Sequence, residues 1–385
     1  MADSNEPKCS FCSLPSSKVQ KLIKGSGDVH ICNTCIAEAF DIVEEALAED
    51  EKANSKRKVD KPTPRQIIKH LDEYVIGQDN AKKILAVSVY NHYKRIGKVT
   101  KADLGKSNVL LVGPTGSGKT LLAESISKFL EVPFASGDAT AMTEAGYVGD
   151  DVESVLVRLL QASGGDVEKA ERGIVYIDEI DKIASQDSRG RDISGEGVQQ
   201  GLLKMLEGSI VTINPEGGKR SSQSKEVMIN TKNILFICGG AFSGITDPNR
   251  IEKVMGFGDA SKIDKKPLKH KDLVKYGMIP EFIGRFALLA ELQPLSSKDL
   301  VSILTEPKNA VTRQYQELLA IDGVTLTFTD DFLLEVAERA SKEGTGARGL
   351  RAIVEPLLLD IMVDAPDSGE TTIEINSDYL KKVTT

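Results

Sequence analysis

Residues 113–120 read GPTGSGKT, after the apolar stretch NVLLVG (108–113) and before the helical segment LLAESISKFL (121–130). No other part of the chain constrains the fold as tightly, because G-x-x-x-x-G-K-[ST] has meaning only between a strand and a helix. The glycines let backbone N–H groups wrap phosphate oxygens, and the helix N-terminus adds its positive end. Gly113, Pro114, Thr115, Gly116, Ser117, Gly118, Lys119, Thr120 and Leu121 are therefore the expected nucleotide-phosphate cradle. Lys119 is placed for the β/γ-phosphates and Thr120 for Mg2+. A chance glycine-rich turn would not come with strand, motif and helix in this order.

Further along, IVYIDEID (174–181) is an apolar strand ending in acids. Asp178 is placed to hold Mg2+ through water and Glu179 to polarise an attacking water. In phosphoryl transfer, catalysis is mostly positioning plus electrostatics, and these are the parts it needs. A solvated strand cap is the plainer alternative, disfavoured by the position after the phosphate loop. The two motifs predict a nucleoside triphosphatase and leave open what the energy drives.

The 385 residues suggest two or three domains. From residue 63 to 293, short apolar strands (NVLLVG; GIVYID, 173–178; NILFIC, 233–238) alternate with helical segments. That pattern predicts an α/β fold, a parallel sheet with helices on both faces. After LQPLS (292–296) helical periods dominate, with strand-like VTLTFT (324–329) and TTIEI (371–375), which predicts a smaller α-rich domain over 297–385. Residues 49–62, EDEKANSKRKVDKP, lack large apolar side chains and read as a flexible linker, a surface helix extension being the alternative. No apolar run approaches the roughly 18 residues of a membrane span. The polar, acidic N-terminus has no leader pattern, so the cytoplasm is the expected location. The net charge of −8 argues against a protein that coats nucleic acid through bulk electrostatics.

Residues 1–48 hold four of the five cysteines, followed by an apolar helical stretch, Ile36 to Leu47. Cys9-x-x-Cys12 and Cys32-x-x-Cys35 are separated by nineteen residues, the spacing of a structural zinc site. Four thiolates close the tetrahedron, so Zn2+ here is structural. Two disulfides are the alternative, which a cytosolic chain should not retain. His30 lies near the second pair but is not needed, and Cys238, in an apolar strand, reads as core.

GPTGSGKT, IVYIDEIDK, SGEGVQQGLLKMLEG (194–208), IPEFIGR (279–285) and TGARGLR (345–351), in this order, resemble the AAA+ ATPases. The four-cysteine module and residues 71–95 are similar to those members that unfold proteins as hexamers and feed a separate peptidase ring. The resemblance implies that Val75 and Ile76, in YVIGQ (74–78), pack on adenine. It makes Arg285 an arginine finger reaching a neighbouring subunit's ATP, which requires a ring, and Arg348 a second sensor on the small domain. A guanidinium there would neutralise charge developing on the γ-phosphate. Without the resemblance, either arginine would pass for a surface ion pair.

Three loops carry over on the same ground. Tyr147 and Val148, between Gly146 and Gly149, are the expected paddle that grips polypeptide in the central pore; a Tyr folded onto its own domain is the alternative. Arg191, in RDISGEG (191–197), belongs to a second pore loop. Met255, Gly256 and Phe257 stand where the family carries the tripeptide that docks on the peptidase, unless the loop tucks its apolar residues inward. At the pore entrance, GGKRSS (217–222) keeps Lys219 and Arg220 but has Ser221 where a histidine is common. NILFIC is followed by Gly239 and Gly240 and not by the polar residue usual at the first sensor.

The resemblance thus implies an ATP-driven protein unfoldase and translocase with protein substrates, adaptors and a peptidase as partners, and no membrane or nucleic acid. A nucleic-acid motor or clamp loader is the competing class, weakened by the net charge and the lack of a basic-aromatic stripe. A passive nucleotide-binding scaffold is the third, and would need neither Glu179 nor Arg285.

Overall fold

A computed structural model describes residues 6–43, 62–97, 104–143, 150–185, 193–215, 226–245, 268–369 and 371–382. The chain divides into two compact units, Met1–Lys61 and Pro62–Thr385.

In the first unit, β1 (Leu22–Lys24) and β2 (His30–Cys32) form an antiparallel pair with Leu22 opposite Cys32. Residues 33–43 continue as helix α1. Only Cys9 and Cys32 are buried among residues 6–43, while Phe11, Phe40 and Ile42 are exposed. The unit's interior is its cysteines. The Sγ atoms of Cys9 and Cys35 lie 3.9 Å apart, those of Cys12 and Cys32 3.7 Å, and all four within 4.8 Å of one another. A tetrahedron with Zn–S bonds of about 2.3 Å has edges of about 3.8 Å, so the set fits Zn2+. Burial works against a Cys9 thiolate, but N–H donors from Cys12, Phe11 and Cys32 outweigh it and bring the thiol down to about 6.

The second unit begins with α2 (Pro64–Asp72), whose start is fixed by Thr63 and Gln66 in a capping box and by Pro64 at its first position. Next come α3 (Asp79–Ile96), β3 (Asn108–Val112), α4 (Lys119–Leu130), β4 (Phe134–Asp138) and two short paired segments, β5 (Met142–Thr143) and β6 (Asp150–Asp151). Then follow α5 (Ser154–Ala162), α6 (Val167–Ala170), β7 (Ile174–Asp178), α7 (Ile193–Glu207) and the hairpin β8 (Ile210–Ile213) and β9 (Val227–Asn230). β10 (Leu235–Gly240), α8 (His270–Tyr276), α9 (Pro280–Ile283) and β11 (Phe286–Glu291) complete the large part. The five main strands are all parallel, in the order β11-β3-β10-β7-β4.

Alternation along the strands splits the core. Val109, Leu111, Tyr176 and Ile237 pack under α2, α3 and α4 on one face. Leu110, Val112, Ile177, Phe236 and Cys238 pack with residues of α5 and α7 on the other. Both faces are covered, so the central strands are apolar throughout. Truncating Leu111 to alanine here costs about 2–5 kcal/mol.

β10 starts and ends later than the apolar run NILFIC suggests. Asn230 caps a 3-10 turn over Thr231–Asn233, and the strand runs on so that Gly239 and Gly240 pair with Leu111 and Val112. The small α-rich part contains α10 (Ser297–Thr305), α11 (Val311–Ile321), β12 (Thr325–Phe328), α12 (Asp330–Lys342), α13 (Ala347–Ser368), β13 (Thr372–Ile375) and α14 (Ser377–Lys382). β12 and β13 pair in parallel, and Leu300, Phe332, Val336, Leu350 and Leu358 fill a separate core. No helix among the described residues is long and apolar enough to cross a membrane.

Because the only buried side chains among its described residues are cysteines of the four-thiol set, the first unit should depend on zinc for folding. A strong zinc chelator, or Cys32→Ser, should abolish hydrogen-exchange protection over residues 22–43 and leave it unchanged over residues 64–382. Retained protection over 22–43 without zinc would show that the unit has another source of stability.

Candidate nucleotide site

β3, β7 and β10 run parallel and end at one edge of the sheet, where open α/β sheets bind ligands. From β3 the chain turns through residues 113–118 into α4. Gly118 caps that helix in the left-handed region at φ 100°. Gly116, at φ 76°, has no room for a side chain: a Cβ there would stand 2.6 Å from the Thr345 carbonyl oxygen. The small part thus lies directly on the loop, with the Ala347 N–H donating to the Gly116 carbonyl at 3.4 Å.

A cleft of about 470 Å³ opens at this edge, lined by the loop, Lys119, Thr120, Leu121, Asp178, Glu179 and Arg348. The Lys119 ammonium donates to the Gly113 and Pro114 carbonyls at 2.8 and 3.0 Å. Burial pulls its pKa below the ordinary lysine value; Asp178 and Asp181 oppose that shift and Arg348 adds to it. The Thr120 hydroxyl donates to Asp178 Oδ2 at 3.0 Å, and the Glu179 N–H donates to Asp178 Oδ1 at 2.9 Å. Glu179 adopts φ 55°, a left-handed conformation that costs a non-glycine residue about 1–3 kcal/mol. Strain of this kind persists where the surrounding structure imposes it, here at the lip of the cleft. Two residues before Asp178 on β7, the phenol of Tyr176 is raised far above its ordinary pKa by burial, the charge of Asp178 adding to it.

Val75 is buried and close to the loop: a Cβ at Gly118 would touch its Cγ1 at 3.8 Å. Ile76 beside it is half-buried. Their segment is held from both ends. Lys82, itself buried, donates to the Val75 carbonyl and to Asp72, each at 2.6 Å. Gln78, at φ 60°, exchanges two 2.8 Å hydrogen bonds with the Gln293 backbone.

Arg285 is elsewhere. Phe286 pairs with Asn108, so Arg285 stands at the opening end of β11, roughly 16 Å of extended chain from the edge that carries the cleft. Its guanidinium pairs with Glu207, and both side chains are exposed. Tyr147, Val148, Arg191, Lys219, Arg220, Ser221, Met255, Gly256 and Phe257 lie outside the described residues.

Glu124, Asp181, Lys182, Ala241, Ser243 and Ala347 also line the cleft. The sequence motifs did not single them out. Asp181 is buried and accepts the Ala241 N–H at 3.0 Å, tying the β7 exit to the β10 exit. Its spacing three residues after Asp178 is the one local signal that could have marked it.

Three family profiles match the chain in order: the ClpX C4-type zinc finger over residues 7–45, an AAA domain (Cdc48 subfamily) over 105–289, and the C-terminal D2-small domain of ClpB protein over 295–377. Curated relatives carry the name ATP-dependent Clp protease ATP-binding subunit ClpX. The protein of Porphyromonas gingivalis strain ATCC 33277 is 47% identical over 97% of this chain and 95% of its own length. That of Bacteroides thetaiotaomicron is 48% identical over 99% and 97%. A second form in Wolinella succinogenes, ClpX 2, is 50% identical over 95% and 93%. With a zinc-finger cysteine set, an AAA core and a small domain in sequence, matched across nearly its whole length, the chain belongs to the ClpX family of AAA ATPases.

Proposed function

We propose that this ATPase unfolds substrate proteins and threads them through the pore of a homohexamer into the ClpP peptidase, in the cytoplasm. One observation carries most of the weight. The cleft gathers a phosphate loop, two strand-end acids and Arg348, while Arg285 sits at the far end of the sheet from it. A second copy of the chain would have to supply Arg285, which is how a ring couples neighbours.

In this reading, Lys119 leaves the Gly113 and Pro114 carbonyls for the β/γ-phosphates, with the loop N–H groups around them. Thr120 and Asp178 would hold Mg2+, which when bound would supply positive charge to the phosphate oxygens. Glu179 polarises the attacking water, Val75 and Ile76 pack on adenine, and Arg285 from the neighbour meets charge on the γ-phosphate. Arg348 reports the nucleotide state to the small domain through the contact with Gly116. Tyr147, Val148 and Arg191 grip substrate; Met255, Gly256 and Phe257 dock on the peptidase; the zinc unit recruits substrates and adaptors.

A fluorescent protein with an unstructured degradation tag tests the whole. ATP-dependent loss of its native fluorescence, with peptidase present, is expected, as is stimulation of hydrolysis by tagged protein. Stimulation by single-stranded DNA alone would point instead to a nucleic-acid motor.

Glu179→Gln should bind ATP normally and hydrolyse it about 100-fold more slowly or worse. Normal turnover would remove Glu179 from its role. Tyr147→Ala should weaken unfolding about ten-fold or more while ATP hydrolysis persists; intact unfolding would return Tyr147 to its own domain's surface.

A further inference from the structure

Tyr176 is fully buried on β7, next to the centre of the sheet, and the site as described gives it no task. Its ring packs with Leu111, Leu122 and Ile237 on the α4 face. Its hydroxyl is buried with no hydrogen-bond partner among the described residues. Few buried hydroxyls are left this way, because the group has given up water and received nothing in return.

The surroundings are specific. A Cβ at Gly239, on the adjacent strand β10, would stand 2.2 Å from the phenol oxygen. The phenol fills the space any side chain at 239 would need. This is the strand end where a polar sensing residue is usual in the family and a glycine stands instead. A hydroxyl reaches that point all the same, from the next strand over.

Tyr176 and Asp178 are two apart on β7, so both side chains leave the same face of the sheet. Asp178 and Thr120 are the polar neighbours that act on the phenol. In this structure the two are occupied with each other at 3.0 Å. Each Asp178 oxygen accepts a single hydrogen bond, from Thr120 or from the Glu179 N–H, and a carboxylate oxygen can accept a second. A donor without an acceptor thus lies beneath an acceptor with capacity to spare.

We propose that Tyr176 is a positioning residue for the divalent cation: its O–H donates to the Asp178 carboxylate and fixes that carboxylate when Thr120 and Asp178 turn toward the metal. This rests on the reading that Thr120 and Asp178 hold Mg2+. Groups that orient a metal-bound carboxylate from behind commonly set affinity for the ion. The close fit of Gly239 then has a reason, since a side chain there would push the hydroxyl away from its acceptor.

The test uses the full chain and a fluorescent ADP analogue, with binding followed as Mg2+ is titrated and again in EDTA. Tyr176→Phe keeps the ring and removes one oxygen. The expected result is a Mg2+ half-saturation raised about ten-fold, with binding in EDTA and Tm as in the parent. Thr120→Val and Asp178→Asn are run beside it. If they lose the Mg2+ dependence while Tyr176→Phe keeps the parental one, the role of Tyr176 is overturned and the cation site stands. If neither Thr120→Val nor Asp178→Asn alters the dependence, the cation site itself is misassigned and the proposal falls with it. Equal weakening in Mg2+ and in EDTA, with a lowered Tm, would make the hydroxyl merely structural and also overturn the proposal.

Discussion

Backbone meets backbone where residues 113–118 pass beneath residues 345–347, and the working geometry follows from that contact. Gly116 has its Cβ position filled by the Thr345 carbonyl, and the Gly346 Cβ position lies 3.2 Å from the Thr115 carbonyl. Neither side can retreat without opening a gap over the phosphate loop. The contact sets Arg348 at the cleft and makes the small part a wall of the nucleotide site. A second link, Lys308 to Glu73 through both side chain and backbone, joins the same two parts near the segment that carries Val75 and Ile76. The cleft is therefore bounded by both parts, with Ala347 and Arg348 of the small part in its lining.

Three strained or crowded positions lie at the same edge. Glu179 and Gln78 adopt left-handed backbone conformations, and Gly239 is closed off by Tyr176. Close approach occurs at the far edge as well, where a Cβ at Gly173 would stand 2.8 Å from the Pro133 carbonyl oxygen, while Arg285 and Glu207 sit exposed there.

Much of the architecture was legible beforehand. The apolar runs around Leu110, Ile177 and Ile237 mark central strands because both faces of the sheet are covered. β4 and β11 were not marked, since FASGD and FALLAE alternate or expose part of their length at the sheet's margins. That Lys119, Asp178 and Glu179 share one cleft follows from motif spacing and parallel strand order. Ser243 escaped because its place at the cleft comes from β10 lying between β3 and β7, a crossing no local pattern announces. Arg285 and Arg348 have no local signature either; in one chain, Arg285 looks like half of an ordinary ion pair. Tyr176 was hidden for the opposite reason, as an aromatic in an apolar strand reads as core.

The cysteine interior of residues 6–43 has a consequence for supply. A unit whose stability comes from a bound ion is stabilised in proportion to the logarithm of free ion, about 1.4 kcal/mol for each ten-fold change once the site is well occupied. Its folded fraction then tracks available zinc and the reduced state of four thiols. The ATPase unit, built on its own apolar cores, does not share that dependence. Zinc scarcity or oxidation would leave an intact ATPase unit with its N-terminal unit unfolded, so the cell's metal and redox state would bear on the two units separately.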